Sequence, residues 1–407
     1  MSVEASLSER LPWLRLRDVP KIVGSVGIGL GLVAFWLTLP PLAARAVVWP
    51  IVLGIPAVAA GIWAASRGAR RVGWAAVAVG LLGIALGLLA TRSSVGNLDR
   101  VVVWSALLGS TLRYATPLTF AAIGGMFSER SGVVNIGLEG MMLMGAFFGI
   151  WGAGKTDSWA LGLVIALLAG SALALVHAFF AIHLRADQIV TGTAVNFLAL
   201  GITGYLYVDI YGEEGIPPGI PEIPDLNLGG LKDVYFIGPV FGQLNVMIWL
   251  SFALLVLSYL VMFKTPIGLR IRSVGEHPRA AETVGISVYR TRYAAVVVSG
   301  ALSALGGAYL SLGFVHTFDQ NITGGRGFIA LAALIFGNWR PLGAFAAALL
   351  FGFSSALADR LPAYFESGSQ IPLVFNSLPY VLTLIAVAGV IGRSIPPAAI
   401  GRPYKKQ

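Results

Sequence analysis

The 407-residue sequence contains no cysteine. That absence removes disulfide bridges, thiolate metal sites and cysteine nucleophiles together. Charge is scarce too, at 12% of residues, where soluble domains carry about 25%. Histidine is rare: His177, His183, His277 and His316 show no metal-ligand spacing and are expected at interfaces or in loops. What remains is apolar, with 57% hydrophobic residues, a mean hydropathy of +0.80 and long apolar runs throughout. Water cannot tolerate that much apolar surface, so the chain reads as an all-α polytopic membrane protein.

The net charge of +9 does not point to nucleic acid. A nucleic-acid binder gathers its basic residues on a soluble module, and here they lie in short loops between apolar segments. About 20 apolar residues cross a bilayer as a helix. Candidate spans are 22–39, 46–65, 72–90, 101–127, 136–152, 158–184, 187–210, 244–263, 293–312, 327–339, 341–358 and 372–392, about 10–12 crossings. With the N-terminus inside, the inside loops hold 20 of the 28 Lys and Arg and the outside loops 7, Arg113 lying within a span. The positive-inside rule therefore places both termini in the cytoplasm. The first apolar run lacks a small-residue cleavage site and reads as a retained signal anchor. Residues 211–243, with EEGIPPGIPEIPD, form the longest outside loop.

One pattern invites a different reading. GIWGAGKT, residues 149–156, fits the phosphate-binding loop G-x-x-x-x-G-K-[ST]. That loop works only between a strand and a helix, where backbone amides cradle phosphates. Here it ends one apolar run, MMLMGAFFGIW, and leads straight into another, with Lys155 on the outside. It is not expected to bind nucleotide.

Two segments interrupt the apolar pattern. SERSGVVNIGLEG, residues 128–140, sets Glu129, Arg130, Asn135 and Glu139 beside the short run MMLMGAFFGIW. FDQNITGGRG, residues 318–327, precedes the short run FIALAALIFGNW. Broken helices in corresponding positions of two halves point to a transport site. Their helix N-termini carry positive dipole character and free N–H groups, suited to the acceptors of a polar solute. The halves also echo each other in WALGLVIALLAGSALAL and PLGAFAAALLFGFSSAL. Candidate pathway residues are Arg113, Asn135, Glu139, Gly140, Asn196, Asn321, Gly325, Arg326 and Phe328. Asn196 qualifies because DQIVTGTAVNFLALGIT is more polar than a lipid-facing span. Plainer roles stand beside these: Asn135 as a helix cap, with Glu139 in the first turn; the glycines as turns or close helix contacts; Arg113 as a snorkelling cation.

The largest inside segment, residues 264–292, reads KTPIGLRIRSVGEHPRAAETVGISVYRTR. A mere connection needs far fewer residues. EHPRAAETVGI suggests a short helix, with Pro278 in its first turn, Ala280 and Ala281 inside it, and Gly285 as its stop. A helix there suits docking of a soluble partner; the alternative is a solvated positive-inside loop.

Taken together, SERSGVVNIGLEGMMLMGAF, GLRIRSVGEHPRAAETVGI and GGRGFIALAALIFGNWRPLGA resemble the permease subunits of bacterial ABC importers. The branch is that for simple sugars, branched-chain amino acids and, most closely in wording, nucleosides. The resemblance spans residues 101–392. It implies alternating access in the bacterial plasma membrane through a pair of permease subunits, alike or different, embedded in membrane lipid. ATP and Mg would be held by a partner ABC ATPase, often with tandem domains, and no cofactor by this chain. An extracytoplasmic solute-binding lipoprotein would deliver the solute. The family's coupling core, E-A-A-x-x-x-G, matches Arg279-Ala280-Ala281-x-x-x-Gly285 with Arg for Glu and without the hydrophobic-Pro end. Gly275, Glu276, Pro278, Ala280, Ala281 and Gly285 are the implied coupling residues. Residues 1–100 form an extension with three spans, and residues 393–407 a basic tail. Competing expectations are a simple-sugar permease, or an ion-coupled secondary transporter, which would want mid-span carboxylates. An intramembrane enzyme would need a nucleophile–base pair or metal cluster, and none is visible.

Overall fold

The computed structural model describes residues 19–38, 48–90, 104–212, 215–232, 237–360 and 395–405. The expected span 372–392 lies outside the described residues. The chain divides into two compact units, residues 1–104 and 105–407.

Among its described residues the first unit contains three helices: α1 (Val19–Thr38), α2 (Val48–Ser66) and α3 (Arg70–Ala90). Each packs on the other two. Small side chains make the contacts, with Ala34, Ala57, Ala64 and Ala76 fully buried. Small residues let helix backbones approach closely where lipid gives no hydrophobic drive between helices. The opposite faces present Ile55, Ile62, Trp74 and Leu81 outward.

The second unit holds α4 (Trp104–Arg130), α5 (Leu138–Thr156), α6 (Trp159–Ala178), α7 (Gln188–Tyr211), α8 (Val246–Lys264), α9 (Pro266–Glu276), α10 (Pro278–Thr283), α11 (Val288–Ala308), α12 (Arg326–Phe336) and α13 (Pro341–Arg360). Helices α6 and α11 each end in a π-helical turn, Phe179–His183 and Tyr309–Phe314. Among the described residues six helices are long and apolar enough to cross a membrane: α2, α7, α8, α13, and α6 and α11 with their π turns. Helix α4 is as long, and the hydroxyls of its buried Thr111 and Thr119 bond back to Leu107 O and Ala115 O. Such local bonds satisfy polar side chains where no water competes.

Helix α5 is the centre of this unit, buried on nearly every side. It lies against α6, α7, α11 and α12. The approach to α11 requires Gly145, because a side chain there would run into the backbone of Ala304. Two ends follow from this packing. At one, Arg130, residues 264–292, Trp339 and residues 395–405 meet. At the other, a small hairpin pairs β1 (Asp225–Asn227) with β2 (Gln243–Asn245), in register Asp225↔Asn245. Asn245 ties it down by donating to Ile223 O, and Ile223 N–H donates to Leu312 O.

Three sequence expectations change. Helix α5 is not a short run: it continues through Gly154 and Lys155 to Thr156, whose hydroxyl bonds Gly152 O, and Asp157 ends it in a left-handed turn. Its 19 residues span about 28 Å, and no strand precedes GIWGAGKT. The segment 264–292 holds two helices rather than one, because Thr265 caps α9 through Gly268 N–H and Pro266 occupies its first position. His177 is not in a loop; it is fully buried in the last turn of α6.

Candidate functional site

The stretch between α4 and α5, residues 131–137, is not helical, so its backbone groups need partners from elsewhere. They find them. Ser131, Gly132 and Val133 N–H groups donate to Ser128 O, Glu129 O and Ser128 O. Ser128 Oγ donates to Val133 O at 2.8 Å. Val134 N–H donates to Gln188 Oε1 at 2.8 Å. His177 Nε2–H donates to Val134 O at 3.0 Å, and Nδ1 lies 3.3 Å from Thr191 Oγ1. Asn135 Oδ1 caps Gly137 N–H at 3.1 Å while its amide donates to Ser299 Oγ at 2.9 Å. Asn196 holds both sides of the start of α5: its Oδ1 accepts from Gly140 N–H at 2.8 Å, and its Nδ2 donates to Ile136 O at 3.0 Å. Ser299 stands seven residues after Arg292 on α11, which places this network about 10 Å above that end of the helix.

Glu139 faces the second interruption. Its two carboxylate oxygens accept from Gly325 N–H at 2.7 Å and Gly327 N–H at 2.5 Å, at the start of α12. A carboxylate there meets unpaired N–H groups and the positive end of the helix dipole, and bonds to an ionised acceptor are the stronger kind. Glu139 is 7% exposed. Gly325 adopts φ +84° to start the helix. At Gly327 a Cβ would stand 2.5 Å from Glu139 Cα, so only glycine allows the approach.

The far end of α12 returns to the same segment. Trp339 Nε1 donates to Glu129 Oε2 at 2.6 Å, and Arg130 Nε donates to Trp339 O at 2.9 Å. The eleven-residue helix is thus held at its amino end by Glu139 and just beyond its carboxyl end by Glu129 and Arg130. The two interruptions form one assembly.

The expected pathway residues divide accordingly. Asn135, Glu139, Gly140, Asn196 and Gly325 come together here. Arg326 sits beside them with its guanidinium on Ile322 O and Thr323 O. Phe328, 48% exposed, and Asn321 point outward from α12 and the segment before it. Arg113 is exposed on α4, about 16 Å along that helix from Gly124, which packs on Ser299. The structure does not bring it to the network. Ser299, His177, Gln188 and Trp339 were not foreseen; Ser299 and His177 were marked only as polar side chains inside apolar runs. Among the described residues no cluster of possible metal ligands occurs.

The coupling residues lie at the Arg130 end. Gly275 packs on Arg130 O, and Ala281 is buried. Glu276 accepts from Ala398 N–H, and Gly275 O from Ala399 N–H. Residues 395–405 are therefore docked rather than free: Gly401 N–H donates to Gly132 O, and Tyr404 OH bonds Glu282. Arg292, 1% exposed, joins α11 to both segments by donating to Ser131 O and Arg402 O. Pro278 begins α10, Gly285 follows it at φ +84°, and Ala280 and Val284 face outward, Val284 at 74% exposure.

Comparison with known proteins gives a consistent picture. The family described as branched-chain amino acid transport system / permease component matches residues 107–388. The guanosine ABC transporter permease protein NupQ of Bacillus subtilis is 44% identical over 76% of this chain and 99% of its own length. The nucleoside ABC transporter permease protein NupC of Lactococcus lactis is 39% identical over 74% of this chain and 96% of its own. The glucose ABC transporter permease protein TsgB13 of Haloferax volcanii is 27% identical over 70% of this chain and 74% of its own. No solved structure matches.

Proposed function

Because the chain belongs to the branched-chain amino acid transport system / permease component family, and is a multi-pass permease subunit of an ABC importer, we propose that it passes a nucleoside. It is not an enzyme; ATP is hydrolysed by a separate ATPase, and a solute-binding protein is a further partner. The observation that carries the nucleoside reading is the 44% identity to a guanosine permease along almost all of that protein.

In this reading the end that bears Arg130 and residues 264–292 is cytoplasmic, with both termini. A tandem ATPase holding ATP and Mg docks on the exposed side of α10. Its motion reaches Arg130 through Gly275 and reaches Ser131 through Arg292. Arg130 and Glu129 hold one end of α12 and Glu139 the other, so a displaced loop carries the short helix with it. Alternating access needs such an element with two arrangements. A second permease subunit completes the pathway, along which Asn321, Arg326 and Phe328 face the solute, with Arg113 on the outer side. Asn135, Gly140, Asn196 and Gly325 shape the pathway by fixing the backbone. An extracytoplasmic lipoprotein delivers the solute in the bacterial plasma membrane.

A thermal-shift screen of the cognate binding protein tests the solute. Nucleosides are expected to raise its melting temperature and sugars to leave it unchanged. A shift with glucose alone would favour the sugar reading, which the glucose permease relative keeps in view.

A further inference from the structure

Between α8, α9 and α11 runs a groove of about 470 Å³. Its walls are apolar, with Leu257, Val261, Val298 and Leu302 along its length. At one end stand Arg270 and Arg290. Both are exposed, and among the described residues neither has a carboxylate partner. Their neighbour Arg272 differs, with its guanidinium 5.1 Å from the Phe263 ring. From Arg290 to Leu302 the groove follows α11 for about 18 Å, close to the depth of one leaflet of a bilayer whose core is about 30 Å thick.

A partner for this groove must be anionic at one end and apolar for the length of a leaflet. A phospholipid with an acidic headgroup has both properties, and basic pockets between membrane helices suit such headgroups. A second copy of this face would instead set arginine against arginine. We propose that the groove holds one anionic phospholipid, with its phosphate between Arg270 and Arg290 and an acyl chain along Leu257, Val261, Val298 and Leu302. The site rests on the chain being membrane-embedded and is independent of which solute is carried. Because Arg270 and Ile271 belong to α9, the lipid would brace the segment that meets the ATPase.

The test is native mass spectrometry of the intact importer, titrated with phosphatidylglycerol or with phosphatidylcholine of the same acyl chains. Phosphatidylglycerol is expected to bind the wild type more tightly. Replacement of both Arg270→Gln and Arg290→Gln should weaken it by about tenfold or more, the scale of two basic groups near an anionic headgroup. Phosphatidylcholine should bind both forms alike. Equal affinity for the two lipids, or an unchanged double variant, overturns the proposal. The lack of cysteine allows a second readout, with a photoreactive probe on Leu257→Cys or Val298→Cys. Cross-linking to added phosphatidylglycerol supports the site. Capture of a second copy, or of residues 361–394 of the same chain, overturns it.

Discussion

The two interruptions of the membrane helices are built differently, although they touch. Residues 131–137 are bonded by side chains from four other elements: His177 on α6, Gln188 and Asn196 on α7, Ser299 and Arg292 on α11, and Ser128 on α4. Residues 319–325 hold themselves by short turns, with Ile322 N–H on Asp319 O and Gly324 N–H on Asn321 O, and Asp319, Gln320 and Asn321 stay exposed. The first is locked into the unit at many points. The second depends on the first, chiefly through Glu139. A transport element that must shift is better built the second way, since local opening costs least where few outside bonds are broken.

Substitutions can break this contrast. The largest effect is expected from Gly327→Leu, which forces α12 off Glu139; overpacking of this kind costs about 3 kcal/mol, and thermal unfolding of the purified subunit would show it as a lowered midpoint. Next comes Asn196→Ala, which removes the part-buried bonds to Gly140 N–H and Ile136 O; at about 1 kcal/mol net for each bond, the loss is about 2 kcal/mol, read in the same assay. Gln320→Ala, in the exposed part of the second interruption, should lie within about 0.5 kcal/mol of wild type, as exposed positions do. If Gln320→Ala matched Asn196→Ala, the two interruptions would be equally locked and the contrast would fail. The smallest effect on stability belongs to Val284→Asp, on the outward side of α10. It should leave the unfolding midpoint unchanged while lowering ATP-driven uptake about tenfold, as loss of a partner contact does at a hot spot.

Much of the helical frame was legible because apolar runs and Gly-rich polar breaks are local signals. Both interruptions were found that way, and Pro278 and Gly285 marked α10 correctly. The length of α5 was misjudged because Lys155 and two glycines resemble a stop, whereas at a membrane edge they continue the helix to Thr156. Thr265-Pro266 carried a start signal for α9 that the basic residues around it obscured. The pairing of Glu139 with Gly325 and Gly327 was out of reach, since nothing local ties a carboxylate to amides nearly two hundred residues away. His177 was misplaced for a related reason: its partner, Val134 O, exists only once α4 breaks and presents an unpaired carbonyl to α6.

Glu139 is the link expected to carry motion to α12. Uptake of a radiolabelled nucleoside should be followed in vesicles containing the full importer, with wild type and Glu139→Ala assembled to equal levels. Uptake by the wild type should require ATP inside the compartment of the ATPase, and the variant should hydrolyse ATP while taking up the nucleoside at least about tenfold more slowly, the loss expected of a buried charged bond. Equal uptake by both proteins would contradict that role.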